Sequence, residues 1–270
     1  MKLLLVLGAD DPARRALAAE LAARGHAVVV LVGARSPDGV TRIAAEEAEP
    51  VRRLRLERGD LEPGHWQKTA APAAAKLVRE FLRAERPDVL LVASWALLTR
   101  ELVHLAALAR IPAVVAVADD WIPCPIATRV RTDTGAPCDA VVGVFPCVAC
   151  AARVPPATPW VPKEAQFLAL AERQRDLERE LALARAVLAP TAEHAERTRR
   201  FLGAAGARLV LEVVDPSDPV AHEALLARAV AAGAPAVTAP SDDWFGERMR
   251  AFAVEQWDAA LRAAGGGSKA

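Results

Sequence analysis

The sequence predicts an α/β protein with a doubly wound, mainly parallel sheet. Short β-branched runs alternate with segments whose apolar residues recur at helical spacing. Runs such as residues 113–118 are apolar throughout, as expected of strands that helices cover on both faces. With 270 residues, 53% of them hydrophobic, the chain can bury a large core without disulfides. These observations favour a Rossmann-like sheet and exclude intrinsic disorder and small disulfide-stapled folds.

The individual elements follow from the same periodicity. A strand over residues 2–7 stops at Gly8, and the helix over residues 12–24 places Leu17 and Leu21 on one face before Gly25 ends it. By the same reasoning we predict strands at 27–32, 51–56, 88–93, 113–118, 186–189, 209–214 and 236–239, and helices at 72–84, 99–110, 167–181, 192–202, 219–232 and 244–263.

Charge and hydropathy exclude several partners. The 34 basic and 34 acidic side chains give a formal net charge of zero, which argues against nucleic acid or an anionic membrane as the main partner. The first apolar run is too short for a secretory signal, and no stretch approaches the ~20 apolar residues of a membrane span. We therefore expect a cytoplasmic protein with no transmembrane segment. An oligomer is compatible with the sequence.

Ligands of such sheets collect where the carboxyl ends of the strands meet, so the residues that follow the strands are the candidate site. Carboxylates in this position can accept hydrogen bonds from ligand hydroxyls or act as a base, which makes Asp119 and Asp120 the catalytic candidates. Ordinary turn and capping roles are the alternative for each residue. The substrate-binding candidates are Gly8, Asp10, Asp11, Ser94, Trp95, Trp121, Thr191, Glu193 and His194.

All four cysteines fall in one segment without periodicity, residues 119–160. Cys124, Cys138, Cys147 and Cys150 end in a Cys-x-x-Cys pair, which predicts a tetrahedral zinc site. Four thiolates leave no open coordination position, so this zinc would be structural. An iron–sulfur cluster, disulfides and free thiols are the alternatives.

The same segment carries a resemblance to a known family. Residues 118–125 read Ala-Asp-Asp-Trp-Ile-Pro-Cys-Pro and precede Cys138 and the Cys147–Cys150 pair. This resembles the N-terminal domain of family 4 glycosyltransferases, a subset of which carries a His-Asp-aromatic-Trp-x-x-Cys-Pro stretch. The resemblance covers about residues 1–205. It implies a GT-B N-terminal-domain-like fold that receives a glycan or small-molecule acceptor, while a second domain holds a nucleotide sugar as donor.

The sequence departs from the family where the donor binds. The family's Gly-Gly pair in the first loop corresponds to the stretch with Asp10 and Asp11, and its His corresponds to Ala118. The two glutamates that embrace the donor sugar fall on Val220 and Arg228. The resemblance therefore implies the acceptor-binding half of a retaining, nucleotide-sugar-dependent transferase. Either a partner protein supplies the donor domain, or the chain is a catalytically reduced relative that binds glycans or a related enzyme.

Two other functions compete with this one. The first is a non-catalytic, metal-stabilised binding or assembly protein of the same fold. The second, a nicotinamide enzyme, is disfavoured because the first β–α turn lacks Gly-x-Gly-x-x-Gly.

The sequence also predicts a domain layout. We expect residues 1–205 to form the acceptor-type domain, with the cysteine-rich loop at 119–160. Residues 206–264 should add a β-α-β unit and a terminal helix that pack on the same domain, and residues 265–270 should form a flexible tail.

Overall fold

The computed structural model describes residues 1–8, 11–46, 51–59, 71–151, 153 and 163–237. Met1–Ala236 form one compact unit. Of the second unit, Val237–Ala270, only Val237 lies within the described ranges. The predicted helix at 244–263 and the predicted tail at 265–270 therefore lie outside the described residues.

Strands and helices alternate through the first unit, as the sequence predicts. In chain order they are β1 (Lys2–Leu7), α1 (Pro12–Ala23), β2 (Ala27–Arg35), β3 (Arg42–Glu46), β4 (Arg52–Arg58), α2 (Pro72–Glu85), β5 (Val89–Val92), α3 (Leu102–Leu108), β6 (Ala113–Ala116), α4 (Val144–Ala151), α5 (Lys163–Leu183), β7 (Ala186–Ala189), α6 (Ala192–Leu202), α7 (Ala204–Ala207), β8 (Leu211–Val213) and α8 (Pro219–Ala232).

The strands form one sheet in the order β3-β4-β2-β1-β5-β6-β7-β8. Only the β3–β4 pair is antiparallel; every other neighbouring pair in the described sheet is parallel. From β1 the chain builds outward to β2 on one side and later to β5 on the other, so the order reverses between β1 and β5. The predicted doubly wound, mainly parallel α/β fold is confirmed, and this reversal is the point at which such sheets bind ligands.

Both faces of the sheet are buried. Alternate residues of β1 point to opposite faces, and Leu3 and Leu5 belong to a core cluster that also contains Leu21 of α1 and Leu226 of α8. Leu4, between Leu3 and Leu5, faces the other way and is also buried. Helix α3 contacts both α2 and α5, and these helices form a second layer. This two-sided cover explains why the central strands are apolar throughout.

The structure corrects several of the predicted boundaries. The edge strand β3 was not predicted, because its polar sequence gives little strand signal. Helix α3 is shorter than the predicted 99–110, and α4 forms inside the segment that lacks periodicity. Strand β8 joins the main sheet beside β7. Residues 236 and 237 lie in no strand, and the rest of the predicted strand at 236–239 lies outside the described residues.

The described helices include none with the length and apolar character that a membrane span requires.

A close approach of two loops requires a glycine after β1. A Cβ on Gly8 would lie 2.7 Å from the carbonyl oxygen of Ala96 and 2.7 Å from Ser94 Oγ. Both contacts are far inside van der Waals distance, and one of them is with backbone. The missing side chain therefore lets the loops after β1 and β5 meet at the reversal point.

We expect Gly8→Ala to lower the free energy of unfolding by about 1–3 kcal/mol, because the added methyl group forces the Ser94 loop away. Urea denaturation of the purified protein measures this. Gly143→Ala is the matched control, since a Cβ there meets nothing closer than 3.6 Å. Equal stability of the two variants would contradict the close approach at Gly8.

Candidate functional site

The candidate site lies at the carboxyl edge of the sheet, around the reversal between β1 and β5. Gly8 ends β1 and Ser94 follows β5 in the adjacent loop. Asp11 is the N-cap of α1, where its Oδ1 accepts a hydrogen bond from the Ala13 amide at 2.9 Å. Asp10, predicted to bind substrate, lies outside the described residues.

Asp119 follows β6 and is held by its own loop and by the loop after β5. Its Oδ1 accepts a hydrogen bond from the Trp121 amide at 3.0 Å, and the Ser94 hydroxyl donates to the carboxylate. Many protein atoms surround the carboxylate group, but one side of the Asp119 residue is exposed to solvent. This burial raises the pKa of Asp119 against the opposing effect of the two hydrogen bonds, and the open side limits the rise. Asp119 is therefore a carboxylate of increased basicity that a ligand can reach.

The imidazole of His194 lies beside the two aspartates. The Thr191 hydroxyl caps α6 by accepting a hydrogen bond from the His194 amide at 3.0 Å. His194 is therefore in the first turn of α6, which begins at the carboxyl ends of the strands. Arg197 Nη2 lies 2.9 Å from Nδ1 of the ring. Because a guanidinium only donates, Nδ1 is the acceptor and the neutral ring carries its proton on Nε2. Burial, and then the charge of Arg197, lower the pKa of His194, so the ring is neutral near pH 7.

Two guanidinium groups complete the charge distribution. Arg197 lies 3.9 Å from Asp120 Oδ1. Arg14, on the first turns of α1, is only 4% exposed, and Asp11 and Asp119 are its electrostatic partners. Burial lowers the pKa of Arg14 against these two carboxylates, and its Nη1 has no hydrogen-bond partner within the described ranges. The site therefore combines reachable carboxylate acceptors with hydroxyl and guanidinium donors, a mixture suited to a polyhydroxylated ligand.

The two tryptophans of the site pack against each other. Trp95 is 2% exposed and stacks on Trp121 with ring centroids 6.1 Å apart. Its Nε1 lies 3.3 Å from Oε2 of Glu180, which also accepts from the amides of Val103 and His104 at the start of α3. Burial raises the pKa of Glu180 to about 7. Trp95, a predicted substrate-binding residue, therefore has no open ring face on which a ligand could stack.

Two buried arginines hold the irregular chain that follows Asp119. Arg173 of α5 donates to the carbonyls of Ile122 at 3.3 Å and Cys124 at 3.4 Å, and also to that of Trp121. Its guanidinium carbon lies 4.6 Å from the centre of the Trp121 ring. Loop carbonyls that no strand or helix satisfies thus find charged donors in one side chain.

Arg129 performs the same task further along this segment. It donates to the carbonyls of Pro123 at 3.1 Å and Ala140 at 3.0 Å, and also to that of Cys138. Its guanidinium carbon lies 3.3 Å from the centre of the Phe201 ring of α6. The segment is therefore attached to both α5 and α6 through guanidinium groups.

The predicted zinc site is not assembled by these residues. All four cysteines are described and free, and no group of three or more His, Cys, Asp or Glu side chains in the described ranges is arranged to hold a metal. Cys150 Sγ accepts a hydrogen bond from the Thr132 amide at 3.3 Å. The described residues therefore give no support to the predicted zinc site or to an iron–sulfur cluster. None of the four cysteines forms a disulfide.

Comparison with known families identifies the domain. The model of the glycosyl transferase 4-like domain matches residues 12–214. The chain belongs to this family. The resemblance drawn from residues 118–150 is thereby confirmed, and the match extends from α1 to the loop after β8. Among curated protein sequences, none matches the chain significantly.

One solved structure supports the fold, and two longer ones are also similar to this chain. A structure of sucrose-phosphate synthase from Thermosynechococcus elongatus aligns over 84% of this chain and 98% of that chain, with a TM-score of 0.50 and 11% identity. A longer structure of the same synthase aligns over 80% of this chain and 48% of that chain, with a TM-score of 0.43 and 11% identity. Os79 from O. sativa in complex with UDP aligns over 91% of this chain and 57% of that chain, with a TM-score of 0.44 and 16% identity. The chain thus spans about half the length of the two larger proteins.

The structure brings most of the predicted site of this glycosyl transferase 4-like domain together. Asp119, Asp120, Ser94 and His194 lie around one edge, whereas Glu193 is on the exposed first turn of α6. The sequence analysis missed four residues that shape the site. These residues are Arg14, Arg173, Glu180 and Arg197. Their only signal in the sequence is that each charged residue lies at helical spacing from apolar residues of its own helix.

We expect Arg173→Ala to lower the free energy of unfolding by about 3 kcal/mol or more, because it removes charged donors from buried carbonyls. Limited proteolysis should then cut within residues 119–151 at lower protease concentration. Arg175→Ala is the matched control on the same helix, where the side chain is exposed, and it should have a much smaller effect. Unchanged protease resistance in Arg173→Ala would refute the role of Arg173 in holding this segment.

The four thiols should react at different rates. Cys124 is buried, and burial, followed by the neighbouring Cys124 and Cys138, raises the pKa of Cys147. Cys138 and Cys150 should therefore react first with a thiol reagent at mildly alkaline pH, as followed by mass spectrometry of the labelled peptides. Addition of zinc should leave these rates unchanged. Protection of all four thiols by one equivalent of zinc would contradict the sulfur placement and restore the zinc prediction.

Proposed function

We propose that this glycosyl transferase 4-like domain is the acceptor-binding half of a retaining, nucleotide-sugar-dependent glycosyltransferase. The observation that carries the proposal is the Asp119 carboxylate, which lies beside the reversal point of the sheet, is partly covered by protein atoms and is open to solvent on one side. Its position matches the general rule for ligand binding in doubly wound sheets. The family match over residues 12–214 supports the reaction class.

The groups around Asp119 suit a sugar or another polyhydroxylated acceptor. Asp119 accepts the hydrogen bond of the reacting hydroxyl, while Asp120 and the Arg197 guanidinium group orient the remaining hydroxyls. In the retaining transfer, the bond from the anomeric carbon to the diphosphate breaks, the diphosphate leaves with the electron pair, and the acceptor oxygen bonds to the cationic anomeric carbon on the face that the diphosphate has left. Asp119 takes the hydroxyl proton, for which its raised pKa makes it a stronger base.

The neutral state of His194 maintains this arrangement. A protonated ring would lose its hydrogen bond from Arg197 and place two cations side by side. Arg197 would then leave Asp120, from which it is 3.9 Å away. We therefore assign His194 as a positioning residue, which acts on the aspartates through Arg197.

The donor half is assigned to a partner protein. Val220 and Arg228 stand where the family has the glutamates that embrace the donor sugar. Arg228 Nη2 lies 2.6 Å from Glu212 Oε2 on β8, so this cation is already used within the domain. A transition state with a cationic sugar and a departing diphosphate needs prepositioned charge, which the partner has to supply. The free thiols agree with a reducing compartment, and we place the protein in the cytoplasm.

A transfer assay with a panel of UDP and GDP sugars, with and without the product of the neighbouring gene, tests this function. We expect transfer only in the presence of the partner, and a loss of about 100-fold or more with Asp119→Asn, since an amide cannot take the hydroxyl proton. Asp139→Asn is the matched control, because Asp139 is exposed within the same segment and should leave transfer unchanged.

The pH dependence gives a second readout. Asp119 has to be ionised, and its pKa is raised, so transfer should fall as pH decreases through a value above the ordinary aspartate pKa. Turnover by the isolated chain would overturn the need for a partner. Full activity of Asp119→Asn with the partner present would overturn the role of Asp119, and the absence of transfer under all conditions would favour the binding or assembly alternative.

A further inference from the structure

A cavity lies at the amino ends of the strands, whereas Asp119 lies at their carboxyl ends. It has a volume of about 610 Å³ and is formed where α2 leads into β5 and α3 leads into β6. Pro87 and Ile111 precede those two strands, whereas Ser94 and Asp119 follow them. The cavity is therefore at the amino ends of β5 and β6 and shares no residue with the candidate acceptor site. Its size is within the range of about 300–1,000 Å³ that is typical of small-molecule sites.

The cavity combines apolar walls with three arginines. Leu82, Pro87, Leu108, Ala109 and Ile111 supply the apolar part of the lining. Arg83, Arg86 and Arg110 line the same space, and all three are exposed. This composition fits a ligand that has an anionic group on an apolar body.

Within the described ranges, the three arginines of this cavity form no ion pair, and the acids nearest to them in sequence are engaged elsewhere. Glu85 pairs with Lys2 at 2.8 Å and with Arg52 at 2.7 Å. Asp88 accepts a hydrogen bond from the Lys2 amide at 2.6 Å. The cluster of positive charge is thus left without an internal counter-charge.

The backbone at two of these arginines adds a second observation. Arg86 and Arg110 have φ values of 46° and 61°, in the left-handed region. Each terminates its helix: the Arg86 amide donates to the Leu82 carbonyl, and the Arg110 and Ile111 amides donate to those of Ala107 and Ala106. Glycine is the usual residue in these two terminating motifs, because a side chain makes the conformation unfavourable. Both helices have a long cation instead, next to the same cavity.

Helix dipoles explain only part of this pattern. The carboxyl end of a helix stabilises a nearby cation. This effect does not select the side of the helix on which the cationic side chain lies. It also does not require the cation at the one position where glycine is preferred. A ligand that bridges the ends of α2 and α3 accounts for both facts.

We propose that this cavity binds a small organic phosphate. Guanidinium groups bind phosphate through paired, charge-assisted hydrogen bonds, and the three arginines provide these donors from two helices. The apolar body of the ligand packs on Leu82, Leu108 and Ile111. This proposal is independent of the proposed glycosyltransferase function, because the two sites lie at opposite ends of β5 and β6.

Calorimetric titration with 1-naphthyl phosphate tests this site on the purified full chain. We expect binding that is about 10-fold or more tighter than that of inorganic phosphate or 1-naphthol, since each of these lacks one half of the recognised chemistry. Affinity should fall about 10-fold or more in the double variant Arg83→Gln/Arg110→Gln, which keeps a polar, unbranched side chain and removes the charge. Arg208→Gln, at an exposed arginine that follows α7, is the matched control and should bind as the wild type does.

Two further measurements locate the ligand. Amide chemical-shift changes should concentrate at Leu108, Ala109 and Ile111 in the wild-type protein, which does not depend on the folding of any variant. Asp119→Asn should bind 1-naphthyl phosphate with unchanged affinity. Absence of binding, equal affinity for inorganic phosphate, unchanged affinity in the double variant, or shift changes confined to the Asp119 edge would each overturn the proposal.

Discussion

Guanidinium groups that satisfy backbone carbonyls are the interaction on which the site depends. The chain after β6 leaves the sheet and has little regular structure before α4, so its carbonyls need donors from elsewhere. Arg173 and Arg129 provide these donors and attach the segment to α5 and α6. Asp119 is the first carboxylate of this segment, and Trp121, whose amide fixes Asp119, is itself held by Arg173. The orientation of the proposed base thus follows from a buried side chain on a helix distant in sequence.

The sequence predicts those elements whose burial pattern is simple. Strands with both faces covered are continuously apolar, and β1 and β7 begin and end where predicted. Strand β3 is different: it lies at the edge, pairs only with β4, and its Arg42–Glu46 sequence is mostly polar or small. Helix α4 contains Pro146 and two cysteines, and its surroundings rather than its composition make it helical. Elements that depend on a neighbour therefore give no periodic signal of their own.

The same dependence on neighbouring elements separates the site residues that the sequence predicts from those that it misses. Gly8, Ser94 and Asp119 follow buried strands, so sheet topology alone brings them to one edge. Arg14 and Arg173 are on helices, and their long side chains reach groups far away in sequence. Which group a guanidinium reaches depends on how helices pack on the sheet, and one sequence does not contain that information. The prediction therefore identified the carboxylates of the site and missed the cations that position them.

The cysteine-rich segment shows why spacing is a weaker guide than donor geometry. Four thiols in a short stretch satisfy the count for zinc, but a metal site also requires the sulfurs to converge. In the described residues no such group of three or more ligands is assembled. Arg173 and Arg129 instead bind the carbonyls of this loop, including those of Cys124 and Cys138. The backbone groups that the sequence leaves without a regular partner thus find charged donors on two distant side chains.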